Sequence, residues 1–501
     1  MNGPDWVVRT DHVLAPDPAR VVAQLFLPGQ EAPAGGRSRS AGVLDRVLAL
    51  SDEEVEAQLA RLRVAFAHRH RDLEATWDAH AAMVEHRLDE PAALSGDRRR
   101  LVGAYFTQEY AIEGAGLMNP SMAAHPDQTG LPPGAVRFVM TMRGVGEGHV
   151  SSVELRTGVV DATSVVTLDP GPTVSVLATP LPAEYSRAGF EHQLAQTGAG
   201  PGDAEAAADA AFVLAHLPET FDGEELAGAL GRLHAQRLTR GSTGRTADRF
   251  AAIAANTYRV AFPEGSETSE RVLMPRGPAE SHGMEDVRLV RFVGPAGVEY
   301  LGTYTAYDGR AISSHLLRTR DLRTFSATPL SGPGARNKGL AVFPRQVGGR
   351  FLALSRADRE NNALTASHDL LHWEDPVRLQ APAQPWEIVQ LGNCGPPIET
   401  ERGWLVLTHG VGPMRTYCIG ALLLDIEDPT RVRGRLESPL LRPAEEERSG
   451  YVPNVVYSCG AMLHGRTLVL PYGCSDARTR IAVVDLDGLL DALLDDPAVT
   501  R

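Results

Sequence analysis

A short motif recurs in this chain at blade-like spacing. Thr319-Arg320-Asp321-Leu322-Arg323-Thr324-Phe325 returns as Ser367-His368-Asp369-Leu370-Leu371-His372-Trp373, an offset of 48 residues from 319 to 367. From about 256 to 486 the text around both copies reads as short strands punctuated by Gly and Pro. Strand-built repeats of about 40–50 residues point to propeller blades. An Asp followed four residues later by an aromatic predicts a turn whose aromatic packs between neighbouring blades. The chain has 501 residues, too many for one ordinary core, so more than one unit is expected. It is 43% hydrophobic and 22% charged, the balance of a globular protein.

The N-terminal part reads differently. Residues 30–42 are Gly, Ala, Ser, Arg and Pro, and predict a loop. Ser51-Asp52-Glu53-Glu54 has the form of a capping box opening a helix. Val55, Leu59, Leu62 and Phe66 follow at helical spacing, then Leu73, Trp77, Val84 and Leu88. His68, His70, His80 and His86 lie on these segments and are read as helix-face residues, not a metal site. The pattern changes near residue 115. Val136 to Arg143 alternates and predicts a strand, as does His149 to Leu155. Gly144-Val145-Gly146-Glu147-Gly148 between them predicts a hairpin turn, because no helical pattern follows it. Residues 180–202 are rich in Pro, Gly and Ala. Residues 203–238 turn helical again, anchored by Phe212, Leu226, Leu230 and Leu233.

The formal net charge of −14 argues against a nucleic-acid partner. An anionic ligand would have to be drawn in by a local basic pocket against that field. Cys394, Cys418, Cys459 and Cys474 show no metal-ligand spacing and read as reduced core thiols. The first residues lack a basic stretch followed by an apolar one, and no run of about 20 apolar residues offers a membrane span. The cytoplasm is the expected compartment.

Chemistry concentrates first in Gly283-Met284-Glu285-Asp286-Val287-Arg288, placed before the apolar run Leu289, Val290, Phe292 and Val293. Two readings compete there. An acid beside an arginine feels opposed pulls from charge and burial, which is how a sugar-cleaving enzyme sets up a proton donor. The same residues could instead form a surface ion pair closing a turn. Further segments stand out: Asn337-Lys338-Gly339 with Leu354-Ser355-Arg356; Gln390 to Thr400 with Gly403-Trp404-Leu405 and His409-Gly410-Val411; Gly450 to Tyr457; and Tyr472-Gly473-Cys474-Ser475-Asp476.

Together these segments resemble glycoside hydrolase family 130, in the family's order and over about 115–178 and 256–486. The resemblance implies a mainly β protein, a five-bladed β-propeller, and the helical stretches read above lie outside its common core as an N-terminal helical segment and a helical insertion. The implied division is an N-terminal helical extension over 1–112, a first blade over 113–180, the insertion over 181–250, the remaining blades over 251–490 and a tail over 491–501. The implied activity is inverting cleavage of β-mannosidic or related bonds by phosphate, releasing mannose 1-phosphate. The alternatives are an inverting hydrolase of the same linkages and a non-catalytic carbohydrate-binding propeller. Asp286 falls on the catalytic acid, acting through a hydroxyl of the bound mannose. Asn119, Arg143, Glu285, Arg288 and Asp476 fall on the sugar site, with Arg288 orienting the acidic pair. Phosphate needs cations rather than a protein base, and the family's positions map onto Lys338, Arg356, Gln390 and His409. Gln390 departs from the usual lysine and brings no charge. A hydrolase would need a second carboxylate, for which Glu399 is the best candidate. Glu387 and the run Glu445-Glu446-Glu447 are others, the run reading more simply as solvated charge. No cofactor or metal is implied beyond inorganic phosphate as co-substrate. The expected partner is an oligosaccharide or mannoside, and a homo-oligomer is compatible with the helical additions.

Overall fold

A computed structural model describes residues 4–29, 38–88, 94–197, 204–238 and 240–494. The chain divides into two compact units, one of Asp17–Gly114 with Pro172–Leu177, the other of Met1–Pro16, Ala115–Gly171 and Ala178–Arg501.

The smaller unit is built from helices Arg39–Leu48, Asp52–Phe66, Leu73–Val84 and Gly96–Tyr105, with Val21–Leu25 pairing antiparallel to Thr107–Ala111. Its helices start where side chains can satisfy their first amides. Ser51 Oγ accepts from Glu54 N at 3.2 Å, and Glu54 Oε2 accepts from Ser51 N at 2.7 Å, closing the expected box. Val55, Leu59, Leu73, Trp77 and Val84 are buried in one core with Leu101 and Phe106. His70 and His80 brace this unit, lying against Glu109 and Thr107 at 2.8 and 2.7 Å. Of the loop expected over 30–42, residues 30–37 lie outside the described residues. Ser38 caps a helix, and Arg39–Leu48 is already helical because Ser38 Oγ accepts from Ala41 N.

The larger unit is mainly β. A first antiparallel group holds Gly116–Ala124, Val136–Val145, Ser151–Val160 and Val166–Leu168. A second holds Gly283–Gly294, Gly297–Tyr307, Ile312–Thr319 and Thr324–Pro329. A third runs through Ala341–Val342, Phe351–Ser355, Asn362–Ser367 and Val377–Gln380. A fourth contains Gln390–Asn393, Gly403–Val411, Tyr417–Leu424 and Val432–Arg435. The last contains Val456–Tyr457, Thr467–Cys474 and Arg478–Asp485, and its outer edge is covered by Val7–Leu14. Val7 lies opposite Val484, so residues from both ends of the described chain share one sheet.

The repeated heptapeptides fold alike. In one, Asp321 Oδ1 accepts from the amides of Arg323 and Thr324 and Thr319 Oγ1 from that of Leu322. In the other, Asp369 Oδ1 accepts from Leu371 and His372 and Ser367 Oγ from Leu370. Leu322 and Leu370 are both left-handed, at φ 54° and 68°. Trp373 then packs in a core shared by the second and third groups, with Val290, Leu316, Val342 and Ala353.

Helices Arg187–Thr197, Ala204–Ala215, Gly223–Gln236 and Thr243–Ala255 interrupt the strands and bury Phe190, Val213, Leu226, Leu233 and Phe250 in a core of their own. The expected tail over 491–501 is corrected in part: residues 491–494 complete the helix Leu486–Leu494, whose Leu489, Leu490 and Leu493 enter the neighbouring core. Residues 495–501 lie outside the described residues. The four cysteines are buried free thiols, and burial pushes those of Cys394 and Cys474 up to about 12. Among the described residues no helix is long and apolar enough to cross a membrane.

The approach to the Asp286 strand is pinned from below. Glu280 is fully buried and accepts from Tyr258 Oη at 2.8 Å, Tyr304 Oη at 2.7 Å, Arg276 N at 2.7 Å and Gly277 N at 3.2 Å. Three residues later the strand begins at Gly283. Its φ is 147°, and a Cβ there would meet Ser151 N at 2.9 Å.

Candidate active site

Asp286 and Asn119 occupy equivalent irregularities on the strands Gly283–Gly294 and Gly116–Ala124. The register of Gly283–Gly294 shifts between Glu285 and Arg288, and that of Gly116–Ala124 shifts between Met118 and Ser121. Each bulge holds a left-handed residue, Asp286 at φ 58° and Asn119 at φ 51°. Bulges re-aim side chains, and left-handed non-glycine residues gather where function holds them. Here the two side chains meet: Asn119 Nδ2 donates to Asp286 Oδ1 at 2.7 Å. Asp476 is a third such residue, at φ 49° directly after Ser475, also at 49°.

Charges alternate outward from Asp286. Arg143 Nη1 lies 3.6 Å from Asp286 Oδ1, and its Nη2 donates to Glu285 Oε1 at 2.7 Å. Ser151 Oγ fixes Arg143 Nε at 2.8 Å. The other oxygen of Glu285 takes Lys338 Nζ at 2.5 Å. Burial pushes the Asp286 carboxyl up, but Arg143, Lys338, Arg288 and the Asn119 amide together hold it below the usual carboxylate range.

Arg288 does not grip the acidic side chains as expected. Its Nη1 donates to the backbone carbonyl of Asp286 at 3.1 Å, its Nη2 to Tyr457 Oη at 2.8 Å and its Nε to Asn393 Oδ1 at 3.3 Å. It therefore fixes the bulge, and acts on the Asp286 carboxylate only through its charge. Asn393 extends the network: its Nδ2 donates to Gly339 O at 2.6 Å, and its carbonyl accepts from His409 Nδ1 at 3.1 Å. His409 Nε2 then accepts from Arg356 Nη1 at 2.8 Å. Gly392 makes room for this pair, since a Cβ there would sit 2.6 Å from both Arg356 Cδ and His409 Cε1. Gln390 donates from Nε2 to Tyr417 Oη at 3.4 Å, and Tyr417 stacks on the His409 ring at 6.0 Å.

The structure thus brings Asp286, Asn119, Arg143, Glu285 and Lys338 into one cluster, and Arg288 with Asn393 links it to Arg356 and His409. The model of the family described as beta-1,4-mannooligosaccharide phosphorylase matches residues 263–495. The 1,2-beta-oligomannan phosphorylase of Thermoanaerobacter sp. (strain X514) is 32% identical over 214 residues, 41% of this chain and 70% of that protein. The chain belongs to glycoside hydrolase family 130. A beta-1,2-mannobiose phosphorylase of Listeria innocua is 31% identical over 213 residues, 41% of this chain and 58% of that protein. The solved structure of the Listeria innocua beta-1,2-mannobiose phosphorylase in complex with beta-1,2-mannobiose superposes with a TM-score of 0.45 at 20% identity, over 77% of this chain and 94% of that one. As a family 130 member the protein is an enzyme of the glycoside phosphorylase and glycoside hydrolase kind.

Three expectations for this family 130 chain need correction. Glu399 does not join the cluster. Its side chain is 44% exposed and gripped by Arg345, with Nε and Nη2 at 2.9 and 2.6 Å, while the Arg345 guanidinium lies over the Trp404 ring. His409 is not a cation. Burial pushes its proton affinity far down, the charges of Arg356 and Arg288 push it further, and its Nε2 is an acceptor. The run Glu445-Glu446-Glu447 is not uniformly solvated. Glu447 is fully buried, holding Arg9, Tyr472 and Arg480. Glu387 is also buried, accepting from the amides of Ala383 and Gln384. Asn393, Tyr417 and Tyr457 were not singled out from the sequence, although Asn393 and Tyr457 lie inside the segments quoted above.

Asp476 behaves unlike its neighbour. Burial and the negative charge of Asp286 outweigh Arg143 and Arg415 and raise it from 3.8 to about 6. A carboxyl harder to ionise in the folded protein costs stability as pH rises from its unfolded value through its folded one. Two pKa units correspond to about 3 kcal/mol, which partial exposure reduces to about 1–2 kcal/mol. Asp476→Asn should therefore stabilise the protein by about that amount above pH 7, by less as pH falls, and by nothing well below 3.8. Urea unfolding across this range checks it, and a pH-independent difference would refute it.

Proposed function

We propose that this protein is an inverting glycoside phosphorylase that cleaves β-mannosidic bonds with inorganic phosphate and releases mannose 1-phosphate. The observation that carries this reading is the single network joining Asp286 to Arg143, Lys338 and, through Arg288 and Asn393, to Arg356. It supplies a carboxyl for the leaving oxygen and cations for the nucleophile within one set of contacts. The engagement of Glu399 with Arg345 favours phosphate over water, because hydrolysis would need that carboxylate free to take a proton. The phosphorylase activities of these relatives point the same way.

In this mechanism Asn119, Arg143, Glu285 and Asp476 line the sugar site. The bulge sustained by Arg288 aims Asp286 at a mannose hydroxyl, which passes its proton to the leaving oxygen. Phosphate attacks the anomeric carbon from the opposite face, so the C–O bond to the leaving sugar breaks as the C–O bond to phosphate forms. In the resting site the surrounding cations keep Asp286 ionised. An arriving phosphate engages those cations and adds negative charge, which raises the affinity of Asp286 for a proton. The hydrogen that phosphate gives up on attack balances the one delivered to the leaving group. No cofactor takes part.

Groups of antiparallel strands, the first two joined in one 12-stranded sheet by the parallel pair of Gly283 with Ser151 and the last completed by Val7–Leu14, support a five-bladed propeller as the frame for this site. We place the enzyme in the cytoplasm, where phosphate is available as co-substrate.

Given mannose 1-phosphate and a panel of acceptor sugars, the purified protein should release inorganic phosphate and build a disaccharide. Free mannose formed from mannobiose in phosphate-free buffer would replace this reading with hydrolysis. Binding without turnover in either assay would leave a carbohydrate-binding propeller.

A further inference from the structure

The cations of the proposed phosphate site are largely spent within the protein. Lys338 is paired with Glu285, and Arg143 lies between Glu285 and Asp286. His409 is held neutral, and Gln390 carries no charge. Among the described residues the Arg356 side chain bonds only the neutral ring of His409, through Nη1, and its Nε is buried without a hydrogen-bond partner. Among Lys338, Arg356, Gln390 and His409 its positive charge is the one that no carboxylate among the described residues pairs, for a phosphate that carries up to two negative charges in a protein of net charge −14.

One further cation stands at the same place. Arg415 is exposed, and its guanidinium lies over the ring of Tyr417 at 5.8 Å. Tyr417 is the residue that accepts from Gln390 and stacks on His409. The charge of Arg415 also lowers the proton affinity of Asp476. Among the described residues it makes no hydrogen bond or ion pair. The tight turn Pro413–Arg415 that presents it has two successive left-handed residues, Met414 at φ 56° and Arg415 at φ 54°. Such a pair is costly for non-glycine residues and persists only where the surroundings impose it.

We propose that Arg415 contacts the phosphate co-substrate and supplies, from the turn beside Tyr417, the positive charge that Gln390 lacks. This rests on the phosphorylase reading above. A guanidinium stacked on an aromatic ring keeps its donor edges free for an oxyanion, so the contact costs little ordering. Exposed to solvent, the same charge also draws phosphate in against the overall field.

Steady-state phosphorolysis of mannobiose by wild type, Arg415→Gln, Arg415→Lys and the double variant Arg415→Gln/Gln390→Lys tests this. Arg415→Gln should raise KM for phosphate about tenfold or more and leave KM for the disaccharide within about twofold. Arg415→Lys should keep phosphate KM within about threefold of wild type, and Gln390→Lys should restore much of what Arg415→Gln loses. An unchanged phosphate KM in Arg415→Gln overturns the proposal. Calorimetric titration of the same proteins with inorganic phosphate alone separates this from failure of the phosphorylase reading. If wild type turns over nothing with phosphate yet binds it about tenfold more tightly than Arg415→Gln, the anion contact stands and the reaction assignment falls. If wild type and Arg415→Gln bind phosphate equally, or neither binds it, the contact is refuted.

Discussion

Asp286→Asn should lower kcat for phosphorolysis about 10³-fold while changing KM little, because a positioned proton donor contributes about 10²–10⁴ in rate. The substitution is close to isosteric. An asparagine oxygen can still accept from Asn119 Nδ2, so the bulge and its Arg288 contact to the backbone carbonyl should survive. A loss below about tenfold would remove Asp286 from the chemistry. The variant also carries an electrostatic signature. The charge of Asp286 is one cause of the raised proton affinity of Asp476, so its removal should let Asp476 ionise at lower pH. The stabilisation gained by Asp476→Asn should then shrink in an Asp286→Asn background, which a double-mutant cycle measures.

Glu280→Ala should destabilise the larger unit by about 3–5 kcal/mol, since it strips the acceptor from two buried tyrosine hydroxyls and two amides at once. Tyr258→Phe and Tyr304→Phe should each cost about 1–3 kcal/mol, less than Glu280→Ala because each leaves the other donors in place. The residue stands three positions before Gly283, so the same loss should blur the placement of Asp286. Denaturant unfolding with kcat measured well below the transition separates the two effects. A shift under about 1 kcal/mol would mean that water or relaxation satisfies those groups.

What could be read from the sequence was local. The capping box at Ser51, the paired Asp turns at 321 and 369, and the acid–arginine hexapeptide each rest on residues a few positions apart. Their physics is contained in that span. What escaped depends on partners far along the chain. The left-handed conformations of Asn119 and Asp286 follow from cross-strand register, which no local pattern encodes. Glu399 looked available as a base because Arg345, which holds it, lies in another strand group's neighbourhood. His409 looked basic because its burial against Arg356, Arg288 and Asn393 is a product of assembly. Glu447 sat in a run of like charges, yet Arg9, hundreds of residues away, neutralises it inside the protein. Arg415 carries no motif at all. Only its place over Tyr417 marks it.

The pairing of Val7–Leu14 with Arg478–Asp485 sets an order of events during biosynthesis. The early strand leaves the ribosome hundreds of residues before its partner, with neither edge to dock on nor sheet to join. The intervening groups can collapse in turn as they emerge, but the pairing of Val7–Leu14 must wait for the distal strands. Until then the nascent chain exposes an unpaired edge, and holding that edge apart from other chains becomes a task for the cell rather than for the fold.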